Sequence, residues 1–228
     1  MLFRSVGRVA AAFANNGAGV RGDMKAVVSA VLLDPEARTA NLADTRYGKL
    51  REPVVRLANF LRAFKATSQN GRYSGIGDTD NVAQSLGQTP LKAPSVFNYF
   101  RPGYAPPNTT IATAGLVAPE LQIAHEVSVA GYLNYMRGWV TVNTSRDVRQ
   151  DYGAEIALAD DPAALVERVN LLLMSGQMTD ALRAQIVAAV TSRGYTGSNQ
   201  TSIDAMRRDR VCIAVFLVLA SPDYLTRK

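Results

Sequence analysis

Five times this chain puts a proline where a helix begins: Asp34-Pro35-Glu36, Glu52-Pro53, Ala118-Pro119-Glu120, Asp161-Pro162 and Ser221-Pro222-Asp223. Proline suits the first helical position because its missing N–H has no intrahelical acceptor there and its φ is already helical. A preceding Asp or Ser side chain accepts the free N–H groups of the first turn. Around these corners apolar residues recur at three- and four-residue steps, as in Met24, Val27, Val28, Val31, Leu32 and in Val54, Leu57, Leu61, Phe64. That period is helical and leaves little room for a sheet. The pattern predicts an all-α fold, an irregular multi-helix bundle of about seven or eight helices.

Further helices are read from Val9 to Phe13, ending at Asn15-Asn16-Gly17, and from about Asp80 to Leu86, ending at Gly87. Pro119 opens a long helix to about Met136, and Asp161 caps one that stops at Ser175-Gly176. Thr179 caps the next, which stops at Gly194, and the last runs to Ala220. The segment 23–36 echoes 210–223, each an apolar helix running into a capped Pro-acid corner, a device that needs no duplication to explain it.

Residues 87–117 carry no helical pattern, apart from a short extended piece expected at Asn108–Thr113. A loop that long inside a domain is uncommon and must be anchored by its own side chains or serve a function. It holds the densest aromatic run in the chain, Val96-Phe97-Asn98-Tyr99-Phe100-Arg101 followed by Tyr104, with prolines limiting its slack. Val96, Phe97 and Phe100 read as buried plugs that offset the entropy of ordering the strap. Tyr99, Arg101 and Tyr104 are then the candidate ligand-binding residues, two rings able to stack and one guanidinium able to pair with an anion. The whole chain, 1–228, reads as a single helical domain, with residues 1–5 suspected of being a non-native start.

Of the 228 residues 47% are apolar and 19% charged, enough for a core and too little charge for general disorder. The net charge is +6, but the arginines are scattered rather than gathered into a stripe, which argues against a nucleic-acid partner. One histidine, His125, and one cysteine, Cys212, supply neither a metal site nor a Ser-His or Cys-His nucleophile pair. His125 is expected on a half-buried helix face and Cys212 inside a buried helix. Asp78 and Asp80 read as helix caps rather than calcium ligands, and Asp160-Asp161 as a cap rather than a catalytic pair. Neither a cofactor nor a metal is called for, no apolar run is long enough to span a membrane, and no signal peptide is visible.

Several of these stretches together resemble a known family. Gly22-Asp23-Met24-Lys25-Ala26, Leu33-Asp34-Pro35-Glu36, Lys49-Leu50-Arg51-Glu52-Pro53, Leu86-Gly87-Gln88, Pro94-Ser95-Val96-Phe97 and Leu116-Val117-Ala118-Pro119-Glu120-Leu121 occur in the order seen in the C-terminal half of the bacterial domain of unknown function 1800 family. Met174-Ser175-Gly176-Gln177-Met178 and Leu219-Ala220-Ser221-Pro222-Asp223-Tyr224 fit the same family. The resemblance implies a mostly helical, exported protein, periplasmic or extracellular, of roughly twice this length and with no established reaction. On that basis the chain is expected to be a scaffold or interaction surface without a complete active site. Its partners would be its own N-terminal half and another exported protein. Two alternatives stand beside this: the substrate-cleft half of a larger hydrolase or carbohydrate-processing enzyme, and a carbohydrate- or surface-binding module using the aromatic loop.

Overall fold

Helices account for most of the ordered backbone in the computed structural model, which describes residues 2–39, 47–141, 145–194 and 199–227. The chain divides into a unit within residues 1–48 and a unit of residues 49–227. Among the described residues seven helices have nine or more residues.

In the first unit α1 (Leu2–Ala14) packs on α2 (Met24–Leu32), and α3 (Pro35–Arg38) follows after a one-turn corner. Side-chain oxygens close the link between α1 and α2. Asn15 Oδ1 accepts from Gly17 N and Gly19 N, and Asn16 Nδ2 donates to Asp23 Oδ2 at 2.7 Å. Asp23 Oδ1 caps α2 by accepting from Lys25 N and Ala26 N. Asp34 does two jobs: it caps α3 through Glu36 N at 2.8 Å, and it takes a two-pronged bond from Arg8 at 2.7 and 2.8 Å.

The Arg8 guanidinium bound to its oxygens holds the Asp34 carboxyl below the usual carboxylate range. A carboxylate depressed in the folded state stabilises above its unfolded pKa of about 3.9, and the contribution is lost as pH falls through the folded value. Acid titration followed by the chemical shifts of residues 24–38 is expected to show this unit loosening below about pH 3.9. In Asp34→Asn the carboxylate's titration step should be gone. A step of unchanged size in that variant would refute the linkage.

The second unit is built on α10 (Gln200–Ala220). In chain order it comprises β1 (Lys49–Leu50), α4 (Pro53–Ala63), β2 (Thr67–Ser68), α5 (Thr110–Thr113), a 3-10 turn (Pro119–Ile123), α6 (Glu126–Val140), β3 (Val148–Arg149), α7 (Gly153–Ile156), α8 (Pro162–Met174), α9 (Asp180–Ser192), α10, α11 (Pro222–Leu225) and β4 (Thr226–Arg227). Met206, Val211, Ala214, Val215, Val218 and Leu219 form the buried stripe of α10, against which α6, α7, α8, α9 and α11 pack. Phe60 and Phe64 of α4, Met136 and Trp139 of α6 and Leu165 and Val169 of α8 complete the core. Tyr152 sets its ring edge-on to Phe64 at 4.9 Å.

Two buried polar residues are held by backbone partners. Arg210 donates to the Ala159 and Arg193 carbonyls at 2.9 Å. Asn170 accepts Met178 N at 3.0 Å, pinning the turn where Ser175 adopts φ 54° at the end of α8. Two antiparallel strand pairs, Lys49–Leu50 with Thr226–Arg227 and Thr67–Ser68 with Val148–Arg149, tie distant parts of the chain together.

Several local expectations need correction. The long helix from Pro119 is interrupted: a 3-10 turn ends at Ile123 and α6 restarts at Glu126. Ser128 Oγ accepts from His125 N and donates to His125 O, a capping arrangement that puts His125 at the helix entry, exposed rather than on a half-buried face. The stretch 80–86 is a turn: Asn81 Oδ1 accepts Ala83 N and Gln84 N as a helix cap would, but Leu86 N and Gln88 N bond back to the Thr79 carbonyl and close the segment before a helix can extend. Asp78 therefore caps nothing and instead pairs with Lys92. The piece expected to be extended near 108–113 is the helical turn α5, capped by Thr109. Asp161 is a cap as expected, while Asp160 binds Arg207.

Candidate functional site

The aromatic strap is fastened at its start by a staple of hydroxyls and amides. Thr79 N donates to Thr89 Oγ1 at 2.7 Å, Thr79 Oγ1 donates to the Gln88 carbonyl at 2.6 Å, and Gln88 N returns to the Thr79 carbonyl at 3.1 Å. Inside this loop Leu86 is a buried plug. Gln88 reaches α4, where its Oε1 accepts Val54 N and its Nε2 donates to Glu52. Glu52 thus leaves the capping of α4 to Gln88. The turn at Val82 and Ala83 rests directly on Gly131 of α6.

Beyond the staple the strap turns outward. Leu91 and Val96 are almost fully exposed and Phe97 is 68% exposed, so Val96 and Phe97 are not the plugs expected. Ser95 explains it: its Oγ accepts Phe97 N and its carbonyl accepts Asn98 N, a tight local turn that lifts the 95–98 segment into solvent. Phe100 is half buried.

The anchoring task passes to Tyr99, whose hydroxyl accepts Thr89 N at 2.9 Å and lies 2.9 Å from the carbonyls of both Thr89 and Lys92. Arg101 is exposed and Tyr104 half buried. The two meet in one turn, with Tyr104 N on the Arg101 carbonyl at 3.1 Å, and that turn is stitched to Gln122 and Ala118. Tyr99→Phe is expected to leave Thr89 N without an acceptor, a loss of about 1–3 kcal/mol confined to the strap. Limited proteolysis should then cut faster between Leu91 and Phe97, with the melting of the helical core little changed. Unaltered cleavage would contradict the anchoring role.

A second arrangement was not anticipated from the sequence. Arg56 lies on the buried face of α4 with Leu57 and Phe60 and is only 6% exposed. Its Nε donates to the Arg51 carbonyl at 2.7 Å and its guanidinium lies over the Tyr132 ring, 4.7 Å from the centroid. Arg51 stacks likewise on Tyr224 at 4.3 Å. Tyr224 Oη binds the Arg56 carbonyl and Asn59 Oδ1, and Tyr132 Oη donates to the Leu219 carbonyl. Burial pushes the Arg56 guanidinium below its usual pKa and the Tyr132 and Tyr224 phenols above theirs. Beside this cluster is a cleft of about 90 Å³, lined by Arg56 together with Leu86, Ile123, Val129, Leu133 and Leu225 among others. The available signal was Arg56 standing four residues before Phe60, a charge on the apolar side of its helix.

Fold and sites together define a mainly helical protein with short strand pairs as clasps and one anchored aromatic strap. Among the described residues no helix is long and apolar enough to cross a membrane. The chain belongs to the family described as "Protein of unknown function (DUF1800)", whose model matches residues 4–226. No curated protein and no solved structure gave a match.

Proposed function

We propose that this chain is a scaffold and interaction surface of a longer, exported protein, and that α2 is its docking element for the N-terminal half of that protein. The observation that carries the reading is the uncovered apolar side of α2. Met24, Val28, Val31 and Leu32 are all exposed, Leu32 at 66%, and no residue of the helix is buried. Contiguous apolar surface of this kind marks interaction sites on soluble proteins, and the i, i+4, i+7, i+8 spacing suits a partner helix. The family resemblance, which implies members of roughly twice this length, supplies the partner.

The test is co-expression of this chain with the N-terminal half encoded by the full-length gene, as separate polypeptides. The two should co-purify, and Val28→Ser with Leu32→Ser should weaken the complex at least about tenfold, since each exchange removes about 1.5–3 kcal/mol of burial. Both side chains are exposed, so the variant should fold as the parent does. Failure of the parent chain to bind, or a serine variant that binds equally well, would sink the reading.

A second reading, ligand binding by Tyr99, Arg101 and Tyr104, is favoured by the exposure of Arg101 beside Tyr104. It requires glycan or anion binding by this chain that is lost in Arg101→Ala with Tyr104→Ala.

A further inference from the structure

We propose that the cleft beside α4 binds a small carboxylic acid with a short apolar tail, and that Arg56 holds the carboxylate. This is independent of the docking role of α2. A cation buried in protein is costly unless it is paired. The other deeply buried arginine of this unit, Arg210, places two of its nitrogens on carbonyl oxygens. Arg56 differs. Its Nε donates to the Arg51 carbonyl and the guanidinium also interacts with the Tyr132 hydroxyl, but both partners are neutral, and among the described residues no ion pair reaches it.

A second cation, Arg51, acts on it and adds repulsion rather than relief. The two nearby phenols are held neutral by burial and contribute ring faces and hydroxyls, not negative charge. The acidic residue closest in sequence, Glu52, is engaged by Gln88 Nε2. A positive site of this kind attracts an anion, and the planar fork of a guanidinium matches a carboxylate through two parallel bonds.

The rest of the lining selects the anion. Leu86, Ile123, Leu133 and Leu225 present hydrocarbon, and Ser128, the one hydroxyl-bearing aliphatic side chain there, is occupied with the His125 backbone. Apolar walls around one convergent charged group are the usual composition of a small-molecule site. They disfavour phosphate or sulfate, which need several donors, and favour a head-and-tail molecule. A cleft of about 90 Å³ gives room for a short aliphatic tail. Val129, half exposed, lines the cleft, where a larger side chain would occupy the tail's space.

The test is calorimetric titration of the 228-residue chain at pH 7 with acetate, propionate and butyrate, using butyramide and inorganic phosphate as controls. Affinity should rise about fourfold for each added methylene until the cleft is filled. Butyramide and phosphate should bind at least tenfold more weakly than butyrate. Arg56→Met should weaken butyrate about tenfold or more, the loss for a charge-assisted hydrogen bond.

Val129→Trp, a change at a half-exposed position, should abolish butyrate binding while leaving the guanidinium in place. It decides the matter if Arg56→Met does not fold. No binding of any acid would overturn the proposal. So would phosphate binding as tightly as butyrate, or undiminished butyrate binding in Val129→Trp or in a folded Arg56→Met.

Discussion

Tyr224→Ala is expected to destabilise the 49–227 unit by about 3–5 kcal/mol, the range for removing a large buried ring. This residue joins several parts of the unit. The side chain is fully buried, its hydroxyl ties to the Arg56 carbonyl and to Asn59 of α4, and its ring carries the Arg51 guanidinium at 4.3 Å. Its position depends on the corner Ser221-Pro222, where Ser221 Oγ accepts Tyr224 N and starts α11. Removing the ring therefore opens a cavity and strips Arg51 of its stacking partner. Thermal unfolding should show the midpoint falling by about 10 °C, since each kcal/mol moves a domain of this size by roughly 2–4 °C. Tyr224→Phe, which keeps the ring, should lose only about 1 kcal/mol. Equal losses in the two variants would show that packing is not what the ring provides.

Gly131→Ala should be harmful where a helical Gly→Ala exchange is ordinarily helpful by about 1 kcal/mol. A methyl group there would meet the Val82 carbonyl oxygen at 2.2 Å and the Ala83 carbonyl carbon at 3.0 Å. Both obstacles are backbone and cannot rotate aside, so the turn carrying the Thr79–Thr89 staple has to move. Overpacking of this kind costs about 1–3 kcal/mol, and loss of the staple adds to it. The control is Gly138→Ala in the same helix, where the nearest atom is the flexible Arg146 side chain at 3.5 Å. That variant should be neutral or slightly stabilised. Amide exchange at Gln88 and Leu86 should accelerate in Gly131→Ala only. A Gly131→Ala protein as stable as its parent would mean that the turn does not rest on α6.

The helices were legible because their start signals are local. Asp34, Asp161, Thr179 and Ser221 each accept an N–H two or three residues ahead, a contact that neighbouring sequence alone determines. The same device at both ends of the chain accounts for the echo between 23–36 and 210–223. The strand pairs were not legible, since Lys49–Leu50 and Thr226–Arg227 are two residues each and pair across most of the chain. The break before α6 was hidden in one hydroxyl, Ser128, which competes with helix continuation at His125.

The strap illustrates the limit of composition. The phenylalanines read as buried plugs and the tyrosines as ligand contacts, yet Tyr99, with its hydroxyl facing Thr89, is the anchor and Phe97 is turned out by Ser95. Arg56 escaped notice because a lone arginine beside an apolar stripe is usually read as solvated. Its burial against Tyr132 depends on α6, a helix whose approach to α4 the sequence does not encode locally.

The central claim is that the apolar side of α2 is a docking surface for the N-terminal half of the protein. Hydrogen–deuterium exchange of this chain alone and in the presence of that half measures it directly. The account predicts that amides of Met24–Leu32 become markedly more protected on binding, and that Val28→Ser with Leu32→Ser removes the gain. Exchange in α2 that is unchanged by a bound N-terminal half would contradict it.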